Sequence, residues 1–172
     1  MLQRPEQHEY APYYGTYIQL VPEGNLIQLL DDQLDAALAL LSGLSEEEAA
    51  YRYAPGKWSI KEVIGHITDT ERIMAYRLLR IARGDTTELP GFDQDIYISG
   101  ASFDQCSLPF LLEDLTVVRR ATLTLVKGLS EEAWRRQGVA SSSPFTARAL
   151  ACVISGHELH HLKVLQERYG LK

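Results

Sequence analysis

The string Gly43-Leu44-Ser45-Glu46-Glu47 returns later in the chain as Gly128-Leu129-Ser130-Glu131-Glu132. Each copy ends one long helical segment and introduces a short one opened by a serine. Before the first copy, Leu26, Leu29, Leu30, Leu34, Ala37, Leu38 and Leu41 fall at helical spacing. After each copy a second long helical segment follows, and each carries a Gly-His pair, Gly65-His66 and then Gly156-His157. The interval from string to histidine is longer in the second copy, and the serine-rich stretch Ser141-Ser142-Ser143 absorbs the difference. A helical hairpin used twice makes a four-helix bundle.

Local punctuation agrees with that plan. Helix one is expected over residues 25–42, with Gly43 as its stop. Ser45 with Glu48, and Ser59 with Glu62, have the spacing of capping boxes, so short and long helices begin there. Helix two should run over 59–84, helix three over 107–127, a short helix over 130–134, and helix four over 146–170. Few segments alternate as strands do. Helix two is roughly 37 Å long, and extended chain covers roughly 3.3 Å per residue. The Gly-, Pro-, Asp- and Ser-rich stretch 84–106 can therefore return along the whole helix as a crossover. Helices two and three would then run parallel, giving an all-α, up-down-down-up four-helix bundle. The alternative use of that stretch is a lid over a site, with Phe92, Asp93, Asp95 or Tyr97 facing it.

Composition excludes several classes of function. At 172 residues the chain fits one domain over 1–172 with a real core. A net charge of −6 disfavours nucleic-acid binding. Cys106 and Cys152 form neither a C-x-x-C pair nor a disulfide framework, which fits a reducing, cytoplasmic setting. No apolar run reaches membrane-spanning length, and the first residues lack the apolar stretch of a signal peptide. The first 24 residues carry Tyr10, Tyr13, Tyr14 and Tyr17 and should pack over one end of the domain.

Three of the five histidines lie in His157-Glu158-Leu159-His160-His161. At about 100° per residue, His157 and His161 fall within about 40° of each other, in the middle of a stripe with Leu150, Val153, Ile154 and Val164. His160 lies at its margin, and Leu159 and Leu162 point elsewhere. Two imidazoles buried on one face need partners, since an unpaired buried polar group costs about 1–3 kcal/mol. One metal ion satisfies both, and a third ligand is then wanted. His66 is the candidate, being the equivalent residue of the first hairpin; His8 is isolated and expected to be solvated. Asp69, Glu71 and Glu158 are expected on solvated helix faces, the alternative being carboxylates that orient the imidazoles. Cys106 is expected to be a small buried residue.

The H-E-x-x-H spelling also belongs to metalloproteases, but too little chain follows His161 for a third ligand, and no edge strand is evident. A di-iron bundle needs two Glu-x-x-His motifs; Glu158 to His161 supplies one, whereas Glu62 and His66 have the wrong offset.

With these features assembled, the chain resembles the DinB-like (DinB/YfiT) superfamily of metal-binding four-helix bundles. The resemblance rests on Glu9-Tyr10-Ala11-Pro12-Tyr13-Tyr14, Leu20-Val21-Pro22-Glu23-Gly24, Trp58-Ser59-Ile60-Lys61-Glu62-Val63-Ile64-Gly65-His66, Pro90-Gly91-Phe92-Asp93, and Gly156-His157 with His161. It implies one divalent metal ion, nickel or zinc, on His66, His157 and His161, with water completing the shell. It further implies a small-molecule substrate, and a transferase working with a low-molecular-weight thiol; the alternatives are a metal-dependent hydrolase, with Glu158 as a possible base, and a non-catalytic binding bundle. A homodimer is compatible with the apolar faces of such bundles.

Overall fold

The computed structural model describes residues 4–172. Two 3-10 turns, Gln7–Glu9 and Pro12–Tyr14, lead into α1 (Gly15–Ile18). There follow α2 (Leu26–Leu41), the short α3 (Glu46–Ala49), α4 (Ile60–Ala82), α5 (Gln94–Gly100), α6 (Leu108–Lys127), the short α7 (Glu131–Arg135), strands β1 (Gln137–Ala140) and β2 (Ser143–Thr146), and α8 (Ala147–Tyr169). Among the described residues no helix is long and apolar enough to cross a membrane.

The helix starts follow from their caps. Asn25 accepts from the Ile27 and Gln28 amides at the head of α2, and Ser107 and Thr146 do the same work for α6 and α8. Ser45 with Glu48 and Ser59 with Glu62 form complete capping boxes. Gly170 ends α8 in the left-handed region, at φ 76°. The long helices pack α2 on α6, α6 on α4, α4 on α8 and α8 on α2, which makes a four-helix core.

The chain between α7 and α8 departs from the expectation of a serine-rich spacer without strands. It folds as an antiparallel hairpin, with Gln137 opposite Thr146 and Ala140 opposite Ser143. Both turn residues, Ser141 and Ser142, have positive φ, 52° and 56°. Two-residue hairpins favour that conformation, but their usual signal is Asn-Gly, and a serine pair does not announce it. The stretch 84–106 also has more structure than a loop, since it contains α5 and the 3-10 turn Phe103–Gln105. Its first part is bound to the hairpin: the Leu89 amide donates to the Val139 carbonyl, and the Ser141 amide to the Leu89 carbonyl, each at 2.9 Å. Buried Arg77 reinforces the junction by donating to the Pro90 carbonyl at 2.7 Å and to Ser141 Oγ at 3.0 Å.

The aromatic lead packs onto α8 and the hairpin. Tyr10 is buried, the Tyr14 ring lies edge-on to Phe145 at 5.0 Å, and α1 rests on α8. Glu9 anchors the lead by accepting from Thr146 Oγ1 at 2.7 Å and from the Arg148 guanidinium. Burial alone would raise its pKa, but Arg148, the Glu6 backbone and Thr146 together hold it down at about 2.

The apolar core is divided. One cluster gathers Leu30, Met74, Leu78, Leu123, Leu150 and Ile154, together with Tyr10 and Phe145. The other gathers Leu34, Leu41, Ile64, Ile67, Leu115 and Leu165. Residue numbers along each helix place the buried polar side chains between them: Gln33 on α2, Glu71 on α4, Arg119 on α6, Ser155 and His157 on α8. Gln33 and Ser155 satisfy each other across α2 and α8: the amide donates to the Ser155 carbonyl at 3.1 Å, and Ser155 Oγ donates to Gln33 Oε1 at 2.9 Å.

Candidate metal centre

Two helices supply the cluster. The Ser59–Glu62 cap fixes the start of α4 and puts His66 in its second turn, 5% exposed, with the Trp58 ring 4.8 Å away. On α8, His157 is 6% exposed and His161, one turn on, is half-buried. His157 Nε2 lies 3.0 Å from His66 Nε2 and 3.1 Å from His161 Nε2. The ligand nitrogens of all three lie within 4.8 Å of one another. The three histidines singled out in the sequence therefore meet in space, although His66 and His157 are 91 residues apart.

This arrangement is costly without a cation. One ring nitrogen of His157 faces two others, and a single proton can bridge only one of those pairs. Protonating the cluster is opposed by burial first and by neighbouring imidazoles second. Those causes lower His66 to about 4 and His161 to about 3, and push His157 well below the ordinary histidine range. The imidazoles are thus neutral lone-pair donors at physiological pH. Adjacent ligands at about 2.0–2.1 Å from one ion stand roughly 3 Å apart, close to the two measured spacings. Three neutral nitrogen donors and no thiolate suit a borderline divalent ion. The donor set fits a metal.

The surroundings cover the cluster on one side and open it on another. Tyr17 of α1 lies edge-on to His157 at 5.4 Å and to His160 at 5.5 Å. The glycine before each central histidine permits close cover. A Cβ on Gly156 would stand 2.1 Å from the Tyr17 carbonyl oxygen, and one on Gly65 would stand 2.5 Å from the Phe103 ring. On the open side, a cavity of about 350 Å³ is lined by Tyr53, Trp58, Asp95, His160, His161 and Tyr169, among others. His160 thus belongs to the cavity wall, its ring 5.0 Å from that of His161.

Other expectations need correction. Glu71 and Glu158 are not on solvated faces. They are 2% and 1% exposed and pair with Arg119 of α6, itself fully buried. Neither is hydrogen-bonded to an imidazole: the Arg119 guanidinium takes both oxygens of Glu71 and Oε2 of Glu158. Asp69 remains partly exposed and pairs with Arg72 at 3.2 Å. Leu162 was expected to point away from the stripe, yet it is buried in the second apolar cluster. Glu158 and Leu162 stand one turn apart on the same face of α8, and that face meets Arg119 of α6 and the second apolar cluster instead of water. Cys106 is half-buried and directs its thiol to the Ser102 carbonyl at 3.6 Å. His8 is solvated, with Glu6 3.4 Å away. Of the proposed lid residues, Asp95 reaches the cavity, Asp93 caps α5, and Phe92 stacks on Tyr97 at 5.4 Å.

Residues 29–165 match the DinB superfamily. The chain belongs to that superfamily. Among its relatives is a protein of Oceanobacillus iheyensis named "Putative metal-dependent hydrolase", 25% identical over 125 residues that cover 71% of this chain and 70% of the relative. Among solved structures, YfiT from Bacillus subtilis, described as a probable metal-dependent hydrolase with an unusual four-helix bundle topology, aligns with a TM-score of 0.68 at 16% identity, over 99% of this chain and 95% of its own. A mycothiol-dependent maleylpyruvate isomerase aligns with a TM-score of 0.66 at 13% identity, over 84% of this chain and 61% of its own. Both likenesses are likenesses of fold. The two structures carry different descriptions on a similar fold, so the fold alone does not decide the chemistry.

Proposed function

We propose that this DinB protein is a metal-dependent enzyme holding one divalent ion, nickel or zinc, on His66, His157 and His161, and acting on a small molecule in the adjoining cavity. The observation that carries the reading is the convergence of three neutral imidazoles, two buried and one half-buried, whose nitrogens cannot satisfy one another. An ion there supplies Lewis acidity, lowering the pKa of a nucleophile such as water or a thiol. The chain's own residues do the rest. Trp58, Tyr53 and Tyr169 give the cavity aromatic walls for orienting an apolar substrate part, and His161 connects the cavity to the cluster. Tyr17 and the α1 backbone keep water from the opposite side of His157.

The thiol-transfer reading draws on the fold shared with the mycothiol-dependent isomerase. Hydrolysis is favoured by the name of the Oceanobacillus relative. The up-down-down-up order goes with either reading. It is supported by the division of the core: the first cluster takes the beginnings of α2 and α8 with the ends of α4 and α6, and the second takes the reverse.

Metal analysis of protein purified without an affinity tag tests the foundation. One equivalent of metal is expected, falling to background in a His157→Ala, His161→Ala double variant. Metal content unchanged by that substitution sinks the reading. Thermal-shift screening with low-molecular-weight thiols, run beside a generic ester assay, separates the chemistries. A thiol-dependent shift without esterase activity supports transfer, and the reverse supports hydrolysis.

A further inference from the structure

Beside the histidines, α4, α6 and α8 share a second buried polar cluster, in which two carboxylates surround one guanidinium. The Arg119 guanidinium is fully buried between two carboxylates, Glu71 and Glu158. Glu71 takes most of it: Nε donates at 2.9 and 3.1 Å to its two oxygens, and Nη2 at 2.8 Å to Oε2. Nη1 donates to the Leu30 carbonyl at 2.8 Å. Glu158 receives a single hydrogen bond, from Nη2 to Oε2 at 2.8 Å. Its Oε1 is buried and has no hydrogen-bond partner among the described residues. A half-satisfied carboxylate in a dry interior is a poor choice for stability alone, because a neutral side chain of the same shape would avoid its desolvation. The cluster adjoins the histidines along both helices. Glu158 directly follows His157 on α8, and Glu71 shares α4 with His66.

We propose that Glu158, held by Arg119 in a cluster of two carboxylates and one guanidinium, is the electrostatic counterweight of the His66–His157–His161 centre. The proposal rests on the metal-centre reading above. Three imidazoles bind an ion without neutralising any of its charge, so a divalent cation would bring its full charge into a layer of low dielectric. A carboxylate in the same layer offsets that charge without occupying a coordination position, leaving positions open for substrate. Arg119 keeps the carboxylate in place and takes up part of its charge while the centre is empty. Glu158 is a positioning and tuning residue in this scheme and touches no substrate.

Nickel titration by calorimetry, together with thermal unfolding of the metal-free protein, tests it on the full chain without a tag. For Glu158→Gln, nickel binding is expected to weaken about tenfold or more, one pK unit of electrostatic coupling or above. The metal-free variant should unfold at the same temperature as the parent or higher. Glu158→Asp, which keeps the charge, should retain nickel affinity within about threefold even where its shorter reach lowers stability. A Glu158→Gln protein that binds nickel as the parent does overturns the proposal and leaves the metal centre standing. So does one that loses metal-free stability or does not fold, because the cluster is then a structural ion pair. A parent protein that binds no nickel or zinc overturns the metal centre itself.

Discussion

Gly156→Ala should destabilise the protein although it improves a helix. In an open helix interior the change stabilises by about 1 kcal/mol. Here the new methyl would lie 2.1 Å from the Tyr17 carbonyl oxygen, 2.5 Å from its carbonyl carbon and 3.1 Å from its Cα. These are backbone atoms and cannot swing aside as a side chain can, so α1 has to lift from α8 by about 1 Å or more. Ile18, 1% exposed, lifts with it. Overpacking costs about 1–3 kcal/mol, and partial exposure of an isoleucine adds a share of its burial energy of about 1.5–3 kcal/mol. After the helical gain, a net loss of about 1–3 kcal/mol remains. Urea denaturation of the metal-free protein measures it as a lower midpoint with unchanged slope. Gly65→Ala is the contrasting case, because its methyl meets the Phe103 ring at 2.5–2.6 Å and a ring can rotate. Its cost should be smaller, about 1 kcal/mol. A Gly156→Ala protein as stable as the parent, or more stable, would refute the view that α1 is seated on that glycine.

The metal-free protein should lose stability in mild acid. His66 and His161 titrate at about 4 and about 3 when folded, against 6.5 as ordinary histidines, so the unfolded chain takes up protons first and stability falls as pH drops below about 6.5. Thermal unfolding between pH 7 and pH 5 should flatten in a His66→Gln, His161→Gln double variant; identical slopes would contradict the burial-driven shifts. Arg148→Met should cost about 3 kcal/mol at neutral pH by stranding the Glu9 carboxylate, measured by chemical denaturation. Glu9 is held at about 2, below 4.5, so that contribution is present above pH 4.5 and fades as pH falls towards 2; the deficit of the variant should fade with it. Replacing Ser141-Ser142 by Asn-Gly, which suits the positive φ of both turn positions, should stabilise by about 1 kcal/mol in the same assay. A loss would mean that the bonds of Ser141 Oγ to Arg77 and of Ser142 Oγ to Glu88 outweigh the turn.

Legibility followed the range of each interaction. Helix limits are set by caps within three or four residues, and Ser45, Ser59, Ser107 and Thr146 could be read directly. The meeting of His66 with His157 and His161 was readable because the repeat carries both Gly-His pairs into equivalent places. Arg119 was invisible. A lone arginine in an amphipathic helix looks solvated, and only three-dimensional packing reveals that two carboxylates and a carbonyl enclose it. Tyr17 and Trp58 were equally hidden as neighbours of the imidazoles, though the aromatic density of the lead was a visible signal. The hairpin escaped because each strand has four residues, too few for alternation to register.

The way in which the hairpin holds the crossover divides that segment into two parts with different freedom to change. From Leu89 to Pro90 it is tied through backbone groups and Arg77, and substitution there disturbs the bundle. Beyond that root, α5 exposes Ile96 and Tyr97 to solvent and presents Asp95 to the cavity. Substitutions in this arm can alter what enters the cavity while the histidines and their helices stay as they are. A duplicated hairpin thereby gains an adaptable rim on a fixed centre, a route by which one scaffold can diversify its substrates without being refolded.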